Sequence, residues 1–568
     1  MLPVVPRGLV LRAVARRGHR AVLRRVQHEL RARLAGDRAE LVDPVAPLGP
    51  FLAPGQLLAQ AVTGANGAAG DGPGWPTPPL LPSRPDDDRP YHRVSLYAYG
   101  DVRLDWEGGR WGVLPRLGWL ARTHRHPGLL VRLEREIATF LRLCPPYRGV
   151  MWASAQEAAI RLLHLVVAAR FIDAEPTAAG RALAALLVDR ILASLGYERS
   201  LANNHGLVCA AALAVAGAWL GDAPLRARGT AVLAADVPPL VTAEGGFAQV
   251  STRYHRMALD ALAVAALLAG PLPEPVMRAG RAMSLWLARL ADAGTGRVPR
   301  LGHDDGTVLC DALGAEPDDV RPSLVRAEAA FGGRLIDPVA ALAGLGPPSW
   351  PTEGGWADLD GGTAGLRLGH TIALLRLPCG RFTPGQGDVM HLSLLHAGEE
   401  ILRDGGSWLY NPPAGETDLA GTRHHNTAQW GDEDRPPRLS RWLFAPLPRM
   451  APVEVEPGRL CTRDRHHERT VLLRQGLCIV IDRLERPGAV ARWRLAPALW
   501  RQTGTGAASS LACLTVRADG EVAITLGHGW EAPRYGRRRL IPVLEIRPAP
   551  DTRTIITAVR FAGATSGG

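Results

Sequence analysis

The spacing of hydrophobic residues changes once along the 568-residue chain, near residue 350. Before that point apolar positions recur with helical period. Examples within about 91–345 are Leu129–Leu143, Ala155–Phe171, Ala178–Leu195, His205–Leu220, Pro224–Ala235, Tyr254–Leu268 and Pro275–Ala291. Most are apolar on more than one face, and a helix apolar all round must be buried. Short connections join them. Helical hairpins stacked in two layers, an incomplete α/α toroid, fit this pattern better than a simple bundle.

After Pro347-Pro348-Ser349-Trp350-Pro351 the apolar runs shorten and turn residues separate them. Thr371–Leu377, His391–His396, Glu468–Leu473, Leu477–Ile481, Leu514–Arg517 and Glu521–Leu526 read as strands. Strands following helices imply two domains: a helical one over 91–350 and an antiparallel β-sandwich over 351–568. Residues 1–35 read as a basic amphipathic helix, with Arg16, Arg17, Arg24 and Arg25 among Val, Leu and Ala. Gly64–Gly74 and Pro76–Pro90 then read as a linker or mobile loop, which closes an N-terminal region of 1–90.

Composition narrows the class. With 46% apolar and 21% charged residues the chain is an ordinary globular protein. A net charge of +11 favours an anionic partner. The arginines are dispersed and no basic stripe interleaves with aromatics, so no nucleic-acid partner is expected. The seven cysteines lack CxxC spacing, which argues against disulfides and a thiolate zinc site. Apolar stretches such as Leu207–Leu220 are too short to span a bilayer. No apolar leader with a small-residue cleavage site is present. The expectation is a cytoplasmic or non-classically exported protein, with the periplasm left open. The oligomeric state is not legible.

Residue scarcity points to the chemistry. All 66 basic residues are arginine, as a very GC-rich bacterial genome would encode. Only five asparagines and eight tyrosines remain. Asn203-Asn204-His205 opens an apolar helix. One Asn serves as N-cap, and the second with His205 makes a carboxylate receptor at a helix N-terminus. Ser251-Thr252-Arg253-Tyr254-His255-Arg256 opens another apolar helix. Tyr254 reads either as a core residue of that helix or as a working phenol, with Arg253, His255 and Arg256 beside it to favour the phenolate. One helix separates the two stretches, so both emerge at the same end of an up-and-down array. Gly302-His303-Asp304-Asp305-Gly306 adds a polar loop to that rim. In the β-domain, Gly385-Gln386-Gly387-Asp388-Val389-Met390-His391, Arg403-Asp404-Gly405-Gly406 and His424-His425-Asn426-Thr427 carry groups able to converge on a divalent metal. The same groups also suit turns and buried hydrogen bonds.

Taken in order, Asn-His opening a helix, Ser-x-x-Tyr-His, Gly-x-Asp-Asp-Gly, Arg-Asp-Gly-Gly and His-Asn-Thr resemble the heparinase II/III-like polysaccharide lyase superfamily, which includes alginate and heparin lyases. Met151-Trp152 through Glu157 and Arg161 also look like its helical domain. The resemblance implies a toroid and sandwich with a cleft between them, and β-elimination at a uronic acid of an acidic polysaccharide. By the same resemblance Asn204 and His205 neutralise the carboxylate and Tyr254 acts as base, acid or both. Arg253, His255, Asp304 and His391 are expected to contact substrate. Asp404 and His425 match two zinc ligands. The family's His-x-His-x-Asp segment reads Pro384-Gly385-Gln386-Gly387-Asp388 here. Gln386 is a poor third ligand, so no cofactor is committed to. Two other readings stay open: a glycan-binding protein that kept the fold without turnover, and a glycoside hydrolase, which needs a suitably spaced pair of carboxylates.

Overall fold

Short polar side chains start the helices of the first half. In the computed structural model, which describes residues 44–55, 84–85, 87–334, 336–351, 353–445, 447 and 451–562, Asp101 caps α1 (Val102–Gly109). Then follow α2 (Val113–His124), α3 (Pro127–Leu143) and α4 (Ala155–Phe171). Thr177 caps α5 (Ala178–Ser200), Asn203 caps α6 (Asn204–Leu220) and Asp222 caps α7 (Ala223–Asp236). Ser251 caps α8 (Thr252–Ala269), and α9 (Glu274–Leu290), α10 (Arg321–Phe331) and α11 (Pro338–Ala343) complete the array. Each cap satisfies an amide that the first helical turn leaves without a partner. The expected helix over 1–35 and the Gly64–Gly74 tract lie outside the described residues.

Helices α4, α6 and α8 form the centre. Every residue of α4 but Arg170 is buried. Helix α6 packs against α4, α5, α7 and α8. The α6–α7 approach depends on Gly229, where a Cβ would stand 2.4 Å from the backbone N of Ala214. This is why the sequence lacks a single apolar stripe there: a helix surrounded by helices needs no polar face.

The change of pattern near residue 350 falls between α11 and the strand Gly354–Asp358. Five antiparallel strands, from Gly354–Asp358 to Glu399–Leu402, pair in sequence order. Alternate residues face opposite ways along a strand. Ile372, Leu374 and Leu395 join the helical core, while Ala373, Leu375 and Leu394 join the core of the β-region. Thr371–Arg376 is buried throughout for that reason. Eight- and four-stranded sheets lie beyond. The C-terminal strand Thr554–Phe561 returns between Leu477–Leu484 and Ala512–Ala518. Helices first, then antiparallel sheets with no closed barrel, is the expected fold class. Helices α1, α2, α10 and α11 fall inside the stretch read as helical, though not among the segments named as examples. No helix among the described residues is long and apolar enough to cross a membrane.

Candidate active site

Two helix starts carry the first half of the site. Asn203 is the plain cap: its Oδ1 accepts the backbone N–H of His205 at 3.0 Å. That frees Asn204, the first residue of α6, to turn inward. Asn204 is 1% exposed, its Nδ2 rests 3.4 Å from the Met257 sulfur, and its Oδ1 has no partner. A buried polar atom without a partner costs about 1–3 kcal/mol, which argues for a ligand or solvent at that point. His205 follows, its Nδ1 2.8 Å from Glu198 Oε2. Glu198 also accepts the N–H of Ala155 at the start of α4. One imidazole nitrogen is thereby fixed on Glu198, leaving Nε2 as the other polar atom of the ring.

Tyr254 lies in the first turn of α8, its backbone N–H held by Ser251 Oγ at 3.0 Å. The Ser251 hydroxyl donates in turn to the carbonyl of His303, which joins the helix start to the 302–306 loop. The Tyr254 hydroxyl stands 2.5 Å from that of Tyr410. Tyr410 comes from the β-region, in the Gly405–Asn411 stretch, and the sequence did not single it out. Its loop is pinned from several sides. Its N–H donates to the Tyr535 hydroxyl, which donates to Asp101 Oδ2. The N–H of Asn411 reaches the same Asp101 oxygen, and Arg441 donates to the Asn411 side chain.

These groups line a cleft of about 880 Å³ that also holds His303, Asp305, Trp106, Phe382 and Trp442. Asn204, His205 and Tyr254 therefore share one cavity, within the usual range for ligand sites. Burial, with the Asp305 carboxylate adding to it, pushes the Tyr254 phenol well above its ordinary value; Tyr410, Arg103 and Arg110 pull the other way. Burial and the neighbouring Tyr254 likewise raise Tyr410. Burial opposes ionisation of Asp305, but Arg103 and Arg110 hold its carboxyl well below the usual range.

The residues expected to depress the Tyr254 phenol are spent elsewhere. Arg253 binds Asp304, Asp318 and the carbonyl of Pro317. Arg256 binds Ser323 and the same carbonyl. His255 donates Nε2–H to the carbonyl of Gly245 and lies on the Trp286 ring, and burial lowers it to about 4. Arg253, His255, Asp304 and His391, expected at the substrate, do not line the cleft among the described residues. Helical periodicity explains the first two. On an amphipathic helix start, neighbours of the inward Tyr254 point about 100° away from it.

The zinc implied by the resemblance can be tested on the donors. Ligand atoms of His391, Asp404 and His425 lie within 4.8 Å of one another, so distance alone admits a cation. Their hydrogen bonds do not. His391 Nδ1 accepts the N–H of Asn426 at 2.9 Å, which puts the ring proton on Nε2, beside Ser393 Oγ. His425 faces acceptors on both sides, Asp404 Oδ2 at 3.0 Å and the Ala420 carbonyl at 3.4 Å. Burial works against its charged form, yet Asp404 raises His425 on balance. A zinc ligand needs a free imidazole lone pair; His391 has none to offer, and His425 offers one, on Nδ1, only as the tautomer that donates Nε2–H to the Ala420 carbonyl. Gln386 is 1% exposed, with both amide atoms unpartnered, and supplies only a weak neutral donor. With His391 excluded and Gln386 a weak neutral donor, Asp404 and His425 alone do not complete a zinc site; they form a buried carboxylate–histidine pair.

No family model and no curated protein matches the chain. Solved structures do. Heparinase III superposes with a TM-score of 0.61 at 14% identity, over 81% of this chain and 77% of that one. A heparan sulfate lyase HepC mutant from Pedobacter heparinus gives 0.52 at 16% identity, over 94% and 85%. The chain has the fold of the heparinase III-like polysaccharide lyases, a helical domain followed by a β-sandwich.

Proposed function

We propose that the protein cleaves an anionic, uronate-containing polysaccharide by β-elimination. The observation that carries this reading is the 2.5 Å contact between the Tyr254 and Tyr410 hydroxyls, in one cleft with Asn204 and His205. The proton on C5 of a uronate is weakly acidic while the carboxylate keeps its charge. Asn204 and His205 take up that charge, and do so more strongly as it spreads into the enolate. One phenolate of the pair removes the C5 proton. The C5–H electrons become the C4–C5 double bond, the C4–O bond breaks, and the departing oxygen takes a proton from a phenol. The paired phenol stabilises its partner's phenolate by hydrogen bonding. Tyr254 is the residue assigned to base or acid work, and Tyr410 supplies a second proton-transfer group from the β-region, where the segment that reads His-x-His-x-Asp in the family lacks its histidines.

A second reading, a glycan-binding protein without turnover, draws on the raised phenols: with both protonated, no base is ready. One experiment separates the two. The full chain is incubated with acidic polysaccharides across neutral to alkaline pH, and the ultraviolet absorbance of an unsaturated uronate is followed. Product that disappears in Tyr254→Phe is the expected result. Binding without product at any pH overturns the lyase reading.

A further inference from the structure

The cleft is charge-balanced although the chain is not. Among the described residues five arginines and five carboxylates line it, against a net +11 for the whole sequence. The arginines are engaged one by one. Arg103 holds Asp305 at 2.7 Å and Arg110 holds Glu157 at 2.6 Å. Arg199 makes two bonds to Asp236. Arg190 gives its donors to the carbonyls of Trp152 and Ala153 and to Ser194, and lies over the Tyr91 ring. Arg381 reaches the carbonyls of Pro239 and Val241, with Asp360 at 3.8 Å. None of these five presents a guanidinium fork with nothing to bind.

The unspent atoms are of another kind. Ser154 Oγ, Asn204 Oδ1, Gln249 Oε1 and His303 Nε2 line the same cleft, buried and without hydrogen-bond partners. Two are amide oxygens, one is a hydroxyl and one is an imidazole nitrogen whose protonated form burial disfavours. The Gln249 oxygen accepts from a hydroxyl and repels an anion, whereas Asn204 meets the carboxylate only with its amide turned so that Nδ2 faces the cleft. Trp106, Phe382 and Trp442 add apolar faces of the kind on which a sugar ring lies. A sulfate group brings a full charge at each site and needs an unpaired cation to compensate its desolvation. A uronate residue brings one carboxylate, which Asn204 and His205 already account for.

We infer that the substrate is an unsulfated, charge-sparse uronate polysaccharide, recognised by neutral hydrogen-bonding groups and aromatic faces rather than by arginine clusters. This rests on the lyase reading for the word substrate, but its recognition half stands on the cleft alone. The expectation separates this chain from an acidic-polymer binder that works by net charge. Along the sequence, more than half of the surplus charge belongs to residues 1–43, which hold ten arginines against four acids and lie outside the described residues.

The test uses the full chain and matched backbones, heparosan against chemically sulfated heparosan and chondroitin against chondroitin sulfate. Binding is read by calorimetry and cleavage by ultraviolet absorbance. The expected result is tighter binding and a higher kcat/KM, by about tenfold or more, for the unsulfated member of a pair, with weak dependence on salt. Preference for the sulfated member, or no difference, overturns the inference and leaves the lyase reading in place. Unsulfated preference in binding with no cleavage of any polymer overturns the lyase reading and leaves the inference. No binding to any of the four overturns it as well. Asp236→Asn releases Arg199 from its carboxylate and is expected to shift the ratio toward the sulfated member; an unchanged ratio in a folded variant counts against the argument.

Discussion

The two walls of the cleft are built by different means. On the helical side Asn204 and Tyr254 sit within the first turn of their helices, and Asn203 and Ser251 hold those turns through bonds spanning two or three residues. On the β side Tyr410 has no regular structure around it. Its position comes from Tyr535, 125 residues away, and its neighbour Asn411 is held by Asp101, 310 residues away. A helix cap places a side chain by local rules. A loop is placed only after both domains have packed, so its chemistry is carried by tertiary contacts. The walls also differ in what has been kept from the resemblance: the helical wall retains its motif, while the β-wall has Gln386 and Pro384 where histidines would stand.

The sharpest way to break the comparison is to remove one hydroxyl from each wall. Tyr254→Phe and Tyr410→Phe are each expected to lower kcat by about 10²–10⁴-fold, the range for a lost proton-transfer group. Equal losses mean that the walls share the chemistry; loss in Tyr254→Phe alone assigns it to the helical wall. Both phenols are raised by burial. The active phenolate is therefore scarce at neutral pH, and kcat should climb as pH increases toward the alkaline side. A flat profile over that range would exclude a titrating phenol as base.

The β-wall's buried pair gives the next effect. Asp404→Asn removes the carboxylate facing His425, with both residues fully buried. Breaking a buried pair costs up to about 3–5 kcal/mol, less here to the extent that His425 can shed its proton. The expectation is a lower melting temperature with the cleft chemistry affected only indirectly. Chelator or added zinc should leave the melting temperature of the unmodified protein unchanged. A zinc-dependent rise would overturn the reading of this cluster as an ion pair.

Within the helical wall, Asn203 and Asn204 divide the work. Asn204→Ala is expected to lower kcat by about 10²–10³-fold with stability held or improved, because its Oδ1 is already unpartnered. Asn203→Ala should cost about 1 kcal/mol of stability and little rate. Comparable rate losses from both would mean that the cap and the receptor are one unit.

The ease of reading each wall follows from the same physics. Ala155–Phe171 has the bounds its apolar pattern gave, and α6 and α8 begin within two residues of expectation. Buried helices and doubly buried strands write their boundaries in polarity. The inward turn of Asn204 was legible because two asparagines cannot both cap one helix. Directions around a helix start were not: Arg253, His255 and Arg256 surround Tyr254 in sequence, yet their guanidiniums and imidazole serve Asp304, Asp318, Ser323 and Gly245. Tyr410 left one trace, a rare tyrosine beside the rare Asn411. Nothing local says that its hydroxyl crosses to α8. His391 follows Asp388 by three residues, which on a regular strand turns the two to opposite faces, and the backbone N–H of Asn426 holds its ring in the interior.

The smallest effect is the most discriminating for the β-wall. Gln386, set by the resemblance against a histidine, is buried and pairs neither its amide oxygen nor its nitrogen. If it held a metal or a substrate group, Gln386→Leu would cost activity and ligand affinity. If it is a remnant with its ligand gone, the change removes two unsatisfied groups and fills the same space with carbon. Replacing a buried unsatisfied amide by an apolar side chain of similar shape is near neutral or stabilising, by about 1 kcal/mol. The expected outcome is an unchanged or slightly raised melting temperature, with kcat/KM on the preferred polymer within about twofold, a difference of only a few tenths of a kcal/mol. A loss approaching that of Tyr410→Phe would move Gln386 into the working site and make the two walls more alike than their hydrogen bonds suggest.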